Sequence, residues 1–217
     1  DLAPIIGSMK LEFAKPTSEL LESHIQAAHM AHATRLFMDD GGSEAQNYLA
    51  HNQIGKTIEG ANRYGLMLRD NQSGKYTLAL RGMNPTDPRD ILNVSLQTSG
   101  TNESRRMGQA LIDDVKSRGG EVERIVAFSM GGGDGFDLAR RNDIDATLLD
   151  PAINPRHVWE NTTSLTQPKS TIEIVRNPEN TRRWKYSLNS QSKKEFWSVH
   201  IYGQEVIIEI YSRNTEG

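Results

Sequence analysis

The chain has 217 residues, of which 36% are hydrophobic and 24% charged, and its formal net charge is -3 at pH 7. These values are typical of one globular domain with a single sizeable core. The slight negative charge, without a block of Lys and Arg, excludes the electrostatic surface that a nucleic-acid partner needs. The absence of cysteine excludes disulfides, thiolate catalysis and cysteine-ligated metal sites.

The sequence contains no membrane-spanning or secretory signal. No stretch approaches the roughly 20 apolar residues that cross a bilayer, and the first residues lack the pattern of a signal peptide. We therefore expect no transmembrane segment. Because the sequence starts at Asp1 rather than at Met, we expect a processed product or a part of a larger polypeptide or assembly.

The first 60 residues predict helices. Residues 17–38 carry apolar side chains at helical spacing, directly after Pro16 and the start signals Thr17 and Ser18. Residues 39–42 end this helix, and a second helix is predicted over 45–59, before Gly60. We therefore treat 1–60 as the helical N-terminal segment of one domain, 1–217.

The remaining residues alternate between strands and helices. Two apolar runs, 64–69 and 75–81, are joined by a polar turn and predict a β-hairpin. The alternation that follows is typical of crossover connections and a mainly parallel sheet. The predicted segments are a helix at 104–117, strands at 122–128, 146–149 and 171–176, a helix at 133–141, and two final strands at 196–202 and 205–211.

A serine lies at a sharp corner in the segment 122–139, VERIVAFSMGGGDGFDLA. Around a nucleophilic serine the second residue before it and the second residue after it must be small, and beside Ser129 these residues are Ala127 and Gly131. An ordinary corner with a serine N-cap is the alternative interpretation. A phosphate-binding loop is excluded, because the glycine spacing lacks the small third residue and no Gly-Lys-Ser/Thr is present.

From about Tyr64 onward, short motifs follow one another in a recognisable order: RGM at 81–83, FSMGG at 128–132 and WSVHIYGQEVIIEIY at 197–211. In this order the chain resembles the α/β-hydrolase fold, specifically the class 3 (fungal triacylglycerol) lipases. Their motifs are Arg-Gly-Thr or Arg-Gly-Ser, Gly-His-Ser-Leu-Gly-Gly, and a late Tyr-x-His before a Glu-aromatic strand. The resemblance implies a three-layer α/β-hydrolase-like fold with a mainly parallel central sheet and a hydrolase core over 61–217.

The same resemblance assigns roles to individual residues. It implies that Ser129 is the nucleophile and His200 the general base, with the backbone N–H groups of Met83 and Met130 forming the oxyanion hole. The chain departs from the family pattern at three positions, because it has alanine and phenylalanine in place of the glycine and histidine before the serine, and methionine in place of the hydroxyl residue after Arg-Gly. The last change removes a side-chain donor and leaves the backbone donor.

Two carboxylates are candidates for the acid of the triad. Asp150, in the sequence LLDPA, follows the strand after the serine corner, at an edge where ligand sites gather in α/β sheets. This stretch is also similar to the Leu-Asp-Pro-Ala segment of the pancreatic lipase family. In class 3 lipases the acid comes one strand later, where Glu179 is the nearest carboxylate. We prefer Asp150 and keep Glu179 as the alternative acid.

The chain has six histidines, and His200 is preferred by position and resemblance together. An alternative for His200 is a strand histidine bonded to a backbone carbonyl. The other five are less well placed to act as the base. Four precede the predicted sheet: His24, His29, His32 and His51. His157 follows Asp150 too closely to be placed across from Ser129. His29 and His32 lie one helical turn apart without a carboxylate at a recognisable metal-site spacing, so we assign no metal and no cofactor.

The sequence thus predicts a serine hydrolase that cleaves the carboxylic ester of a lipid or another acyl ester, through Ser129, His200 and Asp150. The alternative is an inactive hydrolase-like domain that serves as a structural or binding module, because function belongs to the site and not to the fold. The segment 84–98 is either an apolar lid or a polar surface loop.

Overall fold

The computed structural model describes residues 18–97, 99–153, 170–176, 195–202 and 205–212. Eight strands form one sheet, in which the order of the strands follows the order of the chain. The strands are β1 (Lys56–Asn62), β2 (Gly65–Asp70), β3 (Tyr76–Leu80), β4 (Val122–Phe128), β5 (Asp145–Leu149), β6 (Thr171–Arg176), β7 (Glu195–Tyr202) and β8 (Glu205–Ser212). The helices are α1 (Ser18–Asp40), α2 (Gly42–His51), α3 (Pro88–Gln97), α4 (Glu103–Ser117) and α5 (Met130–Asn142).

The centre of the sheet is parallel and its edges are antiparallel. Strands β3, β4, β5 and β6 run parallel to one another. Strands β1 and β2 add an antiparallel meander on one side, and β7 and β8 add another on the other side. The predicted α/β class and the parallel arrangement are therefore confirmed for the central strands, whereas the outer strands follow hairpin geometry.

Apolar side chains on the two faces of the sheet form two separate cores. One core lies between the sheet and helices α4 and α5, and the other lies beneath α1 and α2. Because side chains alternate along a strand, Leu78 and Leu80 belong to the first core and Ala79 to the second. The described residues therefore form three layers, with helices on both faces of the sheet.

Helix α1 agrees with the predicted helix, but the second predicted helix, 45–59, is wrong in its second half. Helix α2 ends at His51, and Gln53 and Gly55 adopt positive φ angles of 57° and 67°. These angles turn the chain into β1, which pairs with β2. The helical N-terminal segment therefore ends before residue 60, because pairing with the edge of the sheet outweighs the helical pattern.

Contacts of one α2 side chain fix the start of β1. The amide nitrogen of Gln46 donates to the carbonyl of Lys56 at 3.0 Å, and its amide oxygen accepts from the N–H of Ile58 at 2.8 Å. Among the helices of the described ranges, none combines the length and apolar character needed to cross a membrane.

The first core predicts a large stability effect at β5. Leu148 has 0% exposure, whereas Leu92, on α3, is 59% exposed. We expect Leu148→Ala to lower the free energy of unfolding by about 2–5 kcal/mol, because it leaves a cavity in the core. Leu92→Ala is the matched control, and we expect it to change the free energy by less than about 0.5 kcal/mol. Urea denaturation of both variants checks this, and equal effects would contradict the assignment of the core.

Candidate active site

Ser129 occupies a strained corner between β4 and α5. Its φ is 51° and its ψ is -115°, a backbone conformation that residues with a side chain rarely adopt. Three backbone hydrogen bonds hold it there. The N–H of Ser129 donates to the carbonyl of Leu149 at 3.0 Å, and the carbonyl of Ser129 accepts from Gly132 at 3.0 Å and from Ala152 at 2.8 Å. The hydroxyl of Ser129 makes no capping hydrogen bond to α5, so the N-cap interpretation is not supported.

The glycines after Ser129 are required by close packing. A Cβ on Gly131 would lie 2.4 Å from the carbonyl oxygen of Arg81, and a Cβ on Gly132 would lie 2.4 Å from the Cβ of Pro151. A Cβ on Gly135 would lie 2.8 Å from the Cβ of Ala127. The small residues at these positions therefore allow α5 to begin directly against β3 and the segment after β5.

The structure brings Asp150 to the same edge of the sheet as Ser129. Phe128 and Leu149 are partners in the pairing of β4 and β5, so Ser129 and Asp150 are the next residues on adjacent strands. Asp150 has a positive φ of 44°, and its N–H donates to the carbonyl of Val175 at 2.7 Å. The alternative acid, Glu179, lies outside the described residues.

The Arg-Gly segment after β3 forms the other wall of the corner. A Cβ on Gly82 would lie 2.8 Å from the ring of Phe128 and 3.3 Å from the Cβ of Ser129. Met83 follows directly and is 40% exposed. Met130 is the first residue of α5, where a backbone N–H has no partner within the helix. The two predicted oxyanion donors thus belong to the two backbone segments that flank Ser129.

A buried ion pair fixes this segment. The guanidinium of Arg81 binds both carboxylate oxygens of Asp90, at 2.5 and 3.0 Å, and Asp90 has 0% exposure. The same carboxylate accepts from the N–H of Asn84 at 2.7 Å, while Arg81 also donates to the carbonyl of Gly82 at 2.8 Å. The backbone of Met83 is therefore held between two anchored neighbours.

The structure does not bring the backbone of His200 to this corner. His200 lies in β7, where its partner on β6 is Glu173, and Glu173 is level with Thr147 and Val126 on the next two strands. At about 4.8 Å per strand and 3.3 Å per residue, this register separates His200 from Ser129 by roughly 14 Å across the sheet and roughly 10 Å along it.

The other described histidines differ in their surroundings. The ring of His24 contacts Glu173 at 2.5 Å, and that of His29 bonds to the hydroxyl of Tyr48 at 2.7 Å. His32, on the exposed side of α1, lines the cavity described below. Within the described part of the chain, no three His, Asp or Glu side chains form a cluster that could hold a metal ion.

A cavity of about 490 Å³ opens at the carboxyl ends of the parallel strands, a volume within the range of small-molecule sites. Its lining comes from the ends of β4, β5 and β6, from the segment after β3, and from α1. These residues include Phe128, Asp150, Val175, Met83, Ala28 and His32. Sequence patterns did not reveal that α1 reaches this edge, because a helical pattern shows which face is apolar and not where the helix packs.

Segment 84–98, for which the sequence predicts either a lid or a loop, contains helix α3, whose polar face is buried and whose apolar face is exposed. Its polar side chains Asp90, Asn93 and Gln97 are buried, and its apolar side chains are exposed: Ile91 (53%), Leu92 (59%), Val94 (36%) and Leu96 (37%). The helical spacing of the polar residues was visible in the sequence. Their burial was not, because apolar faces usually point inward.

A buried polar network connects α3, α4 and α5 beside the corner. The carboxylate of Asp134 accepts hydrogen bonds from Asn102 and Ser104 at the start of α4 and from Gln97. Gln97 also donates to the carbonyl of Met130 at 2.7 Å. Burial raises the pKa of Asp134 to about 6, although the hydrogen bonds to its carboxylate act in the opposite direction.

Comparison of this chain with protein-family models, with curated proteins and with solved structures finds no match.

The packing of Gly131 predicts that a single methyl group disturbs the corner. We expect Gly131→Ala to lower the free energy of unfolding by about 1–3 kcal/mol, because the backbone oxygen of Arg81 must move away from the new Cβ. Gly42→Ala is the control, since its Cβ would meet the movable ring of Phe37 at 3.1 Å. Denaturant unfolding of the two variants provides the comparison, and equal stabilities would contradict the tight contact.

The buried carboxyl of Asp134 predicts a pH-dependent stability. Because its pKa is raised from 3.8 to about 6, the folded chain holds a proton that the unfolded chain has released between these pH values. The stability from this proton is complete below about pH 4 and is lost as the pH rises through about 6. Relative to the wild type, we expect Asp134→Asn to gain up to about 3 kcal/mol between pH 4 and pH 7.

Chemical denaturation of the wild type and Asp134→Asn at both pH values measures this difference. Asp113→Asn, which replaces an exposed carboxylate on α4, is the control. A difference between wild type and Asp134→Asn that stays constant with pH would contradict the interpretation.

Proposed function

We propose that this chain is a serine hydrolase that cleaves carboxylic esters, with Ser129 as the nucleophile. The observation that carries the proposal is the positive φ of Ser129 at a strand-to-helix corner. Strain of this kind persists only where the surrounding structure enforces it, and it is concentrated at functional sites. The same corner is the geometry that exposes a serine hydroxyl at the end of a parallel strand.

The surroundings of the corner support stabilisation of an oxyanion. The hydroxyl oxygen of Ser129 bonds to the carbonyl carbon of the ester, and negative charge develops on the carbonyl oxygen. The backbone N–H groups of Met83 and Met130 are the donors proposed for this charge. Because Met130 begins α5, the positive end of the helix dipole acts in the same direction.

The proton of Ser129 has to move to a base and then to the departing alkoxide. Water then attacks the acyl-serine with the help of the same base, which restores the serine. Asp150, next to Ser129 at the sheet edge, is the proposed acid that orients the base. The resemblance assigns the base to His200, whose backbone lies roughly 14 Å from Ser129 across the sheet, and the lining of the cavity offers a second candidate, His32.

An apolar surface close to the site supports a lipid or another acyl ester as the substrate. Met83 and Phe128, which line the cavity, are 40% and 43% exposed, and apolar side chains of α3, the helix whose Asp90 anchors the Arg-Gly segment, are exposed as well. Exposed large apolar side chains often mark binding sites. A water-soluble, highly charged substrate would gain little from this surface.

Hydrolysis of p-nitrophenyl butyrate by purified variants tests the proposal. We expect Ser129→Ala to lower kcat at least about a thousandfold, because it removes the nucleophile. We also expect it to abolish labelling by a fluorophosphonate probe. Ser117→Ala, at the exposed end of α4, is the matched control and should retain full activity.

Two histidine variants identify the base in the same assay. If either His200→Ala or His32→Ala lowers kcat as much as Ser129→Ala does, the histidine changed in that variant is the base. His51→Ala, at the exposed end of α2, is the control. A folded wild-type protein with neither activity nor labelling would instead favour the inactive binding module.

A further inference from the structure

Helix α1 runs beside β4 in the same direction and ends at the cavity. Near the start of β4, the guanidinium of Arg124 donates to the hydroxyl of Ser23 at 2.8 Å. Further along α1, His24 contacts Glu173 in the middle of β6. The next turns carry Ala28 and Ala31, which line the cavity together with Phe128 at the end of β4. The N-terminal helix therefore supplies one wall of the cavity, whose lining includes Phe128, the residue before Ser129.

The lining of the cavity combines apolar and polar side chains. Its apolar part includes Phe128, Leu149 and Val175, from the ends of three adjacent strands, together with Ala28 and Ala31 of α1, and its polar part includes Arg81 and Asp150. Two further lining residues of α1 are charged, and Arg35 pairs with Asp39 at 3.4 Å while both remain exposed to solvent. An extended apolar group with a polar end matches this distribution of side chains.

We propose that the cavity holds the acyl chain of the ester and that Ala28 and Ala31 determine how long this chain can be. The inference rests on the proposed function for the identity of the bound group as an acyl chain. Helix α1, which lies outside the predicted hydrolase core, then selects the substrate by the length of its acyl chain. Each methylene group buried in such a cavity strengthens binding by about fourfold.

A larger side chain on α1 should therefore shorten the acceptable chain. Ala28 is exposed to the cavity and solvent, so Ala28→Trp fills the space without entering the core beneath the helix. Ala50→Trp, on the exposed side of α2 and outside the cavity lining, is the matched control. Ala28→Leu replaces the tryptophan variant if circular dichroism shows that Ala28→Trp is unfolded.

Titration calorimetry with monomeric sodium decanoate and sodium butyrate tests the inference without requiring catalysis. We expect wild type and Ala50→Trp to bind decanoate more tightly than butyrate. In Ala28→Trp, we expect the Kd of decanoate to rise at least about tenfold and the Kd of butyrate to change less than about twofold. For active protein, the ratio of kcat/KM between p-nitrophenyl decanoate and butyrate should fall by a similar factor.

The outcomes separate this inference from the proposed function. Decanoate binding that is absent, or equally weakened by both tryptophan variants, would overturn the inference even if Ser129 hydrolyses esters. Decanoate binding with the expected pattern, in a protein without ester hydrolysis or serine labelling, would overturn the proposed function and leave the cavity as an acyl-binding site.

Discussion

The buried ion pair between Arg81 and Asp90 is the interaction on which the edge of the sheet depends. Both side chains are almost fully removed from solvent, and an unpaired charge at such a position destabilises a protein by several kcal/mol, about 3–5 when one partner is removed. The pair fixes three elements at once: the end of β3, the segment that contains Met83, and the start of α3. The carbonyl of Arg81 is also the atom against which Gly131 packs.

A second set of buried polar side chains lies on the same face of α3 as Asp90. Asn93 and Gln97 follow Asp90 on the buried face of α3. Asn93 donates to Ser104 at 2.6 Å, and Gln97 donates to the carbonyl of Met130 at 2.7 Å. The first residue of α5 is therefore positioned by a helix that is distant in the sequence. Most polar atoms of this network have a hydrogen-bond partner, the side-chain oxygen of Asn102 being an exception, and such networks hold buried polar groups in fixed positions. The backbone around Ser129 therefore has little freedom to relax its strained φ.

Most of the elements were predictable from sequence patterns, because apolar runs and turn residues were separated clearly from β2 onward. The corner at Ser129 and the position of Asp150 were predictable for the same reason, since each directly follows an apolar strand. Strand β1 was not predictable, because apolar and polar residues alternate only weakly in Lys56–Asn62 and its first residues continue the helical pattern before them. The place of His200 within β7, opposite Glu173, was also hidden, because strand order and register depend on pairing between distant segments.

The buried polar face of α3 follows from the charge that it covers, the guanidinium of Arg81. A helix packed against Arg81 has to present a carboxylate to it, since an apolar face would leave this buried guanidinium charge without an opposite charge. Helical periodicity then directs the apolar residues of the same segment, such as Ile91 and Leu92, toward solvent. The exposed apolar face of α3 and the anchoring of the segment around Met83 therefore have one cause. A change that made α3 conventionally amphipathic would remove the partner of Arg81 and release the backbone beside the serine.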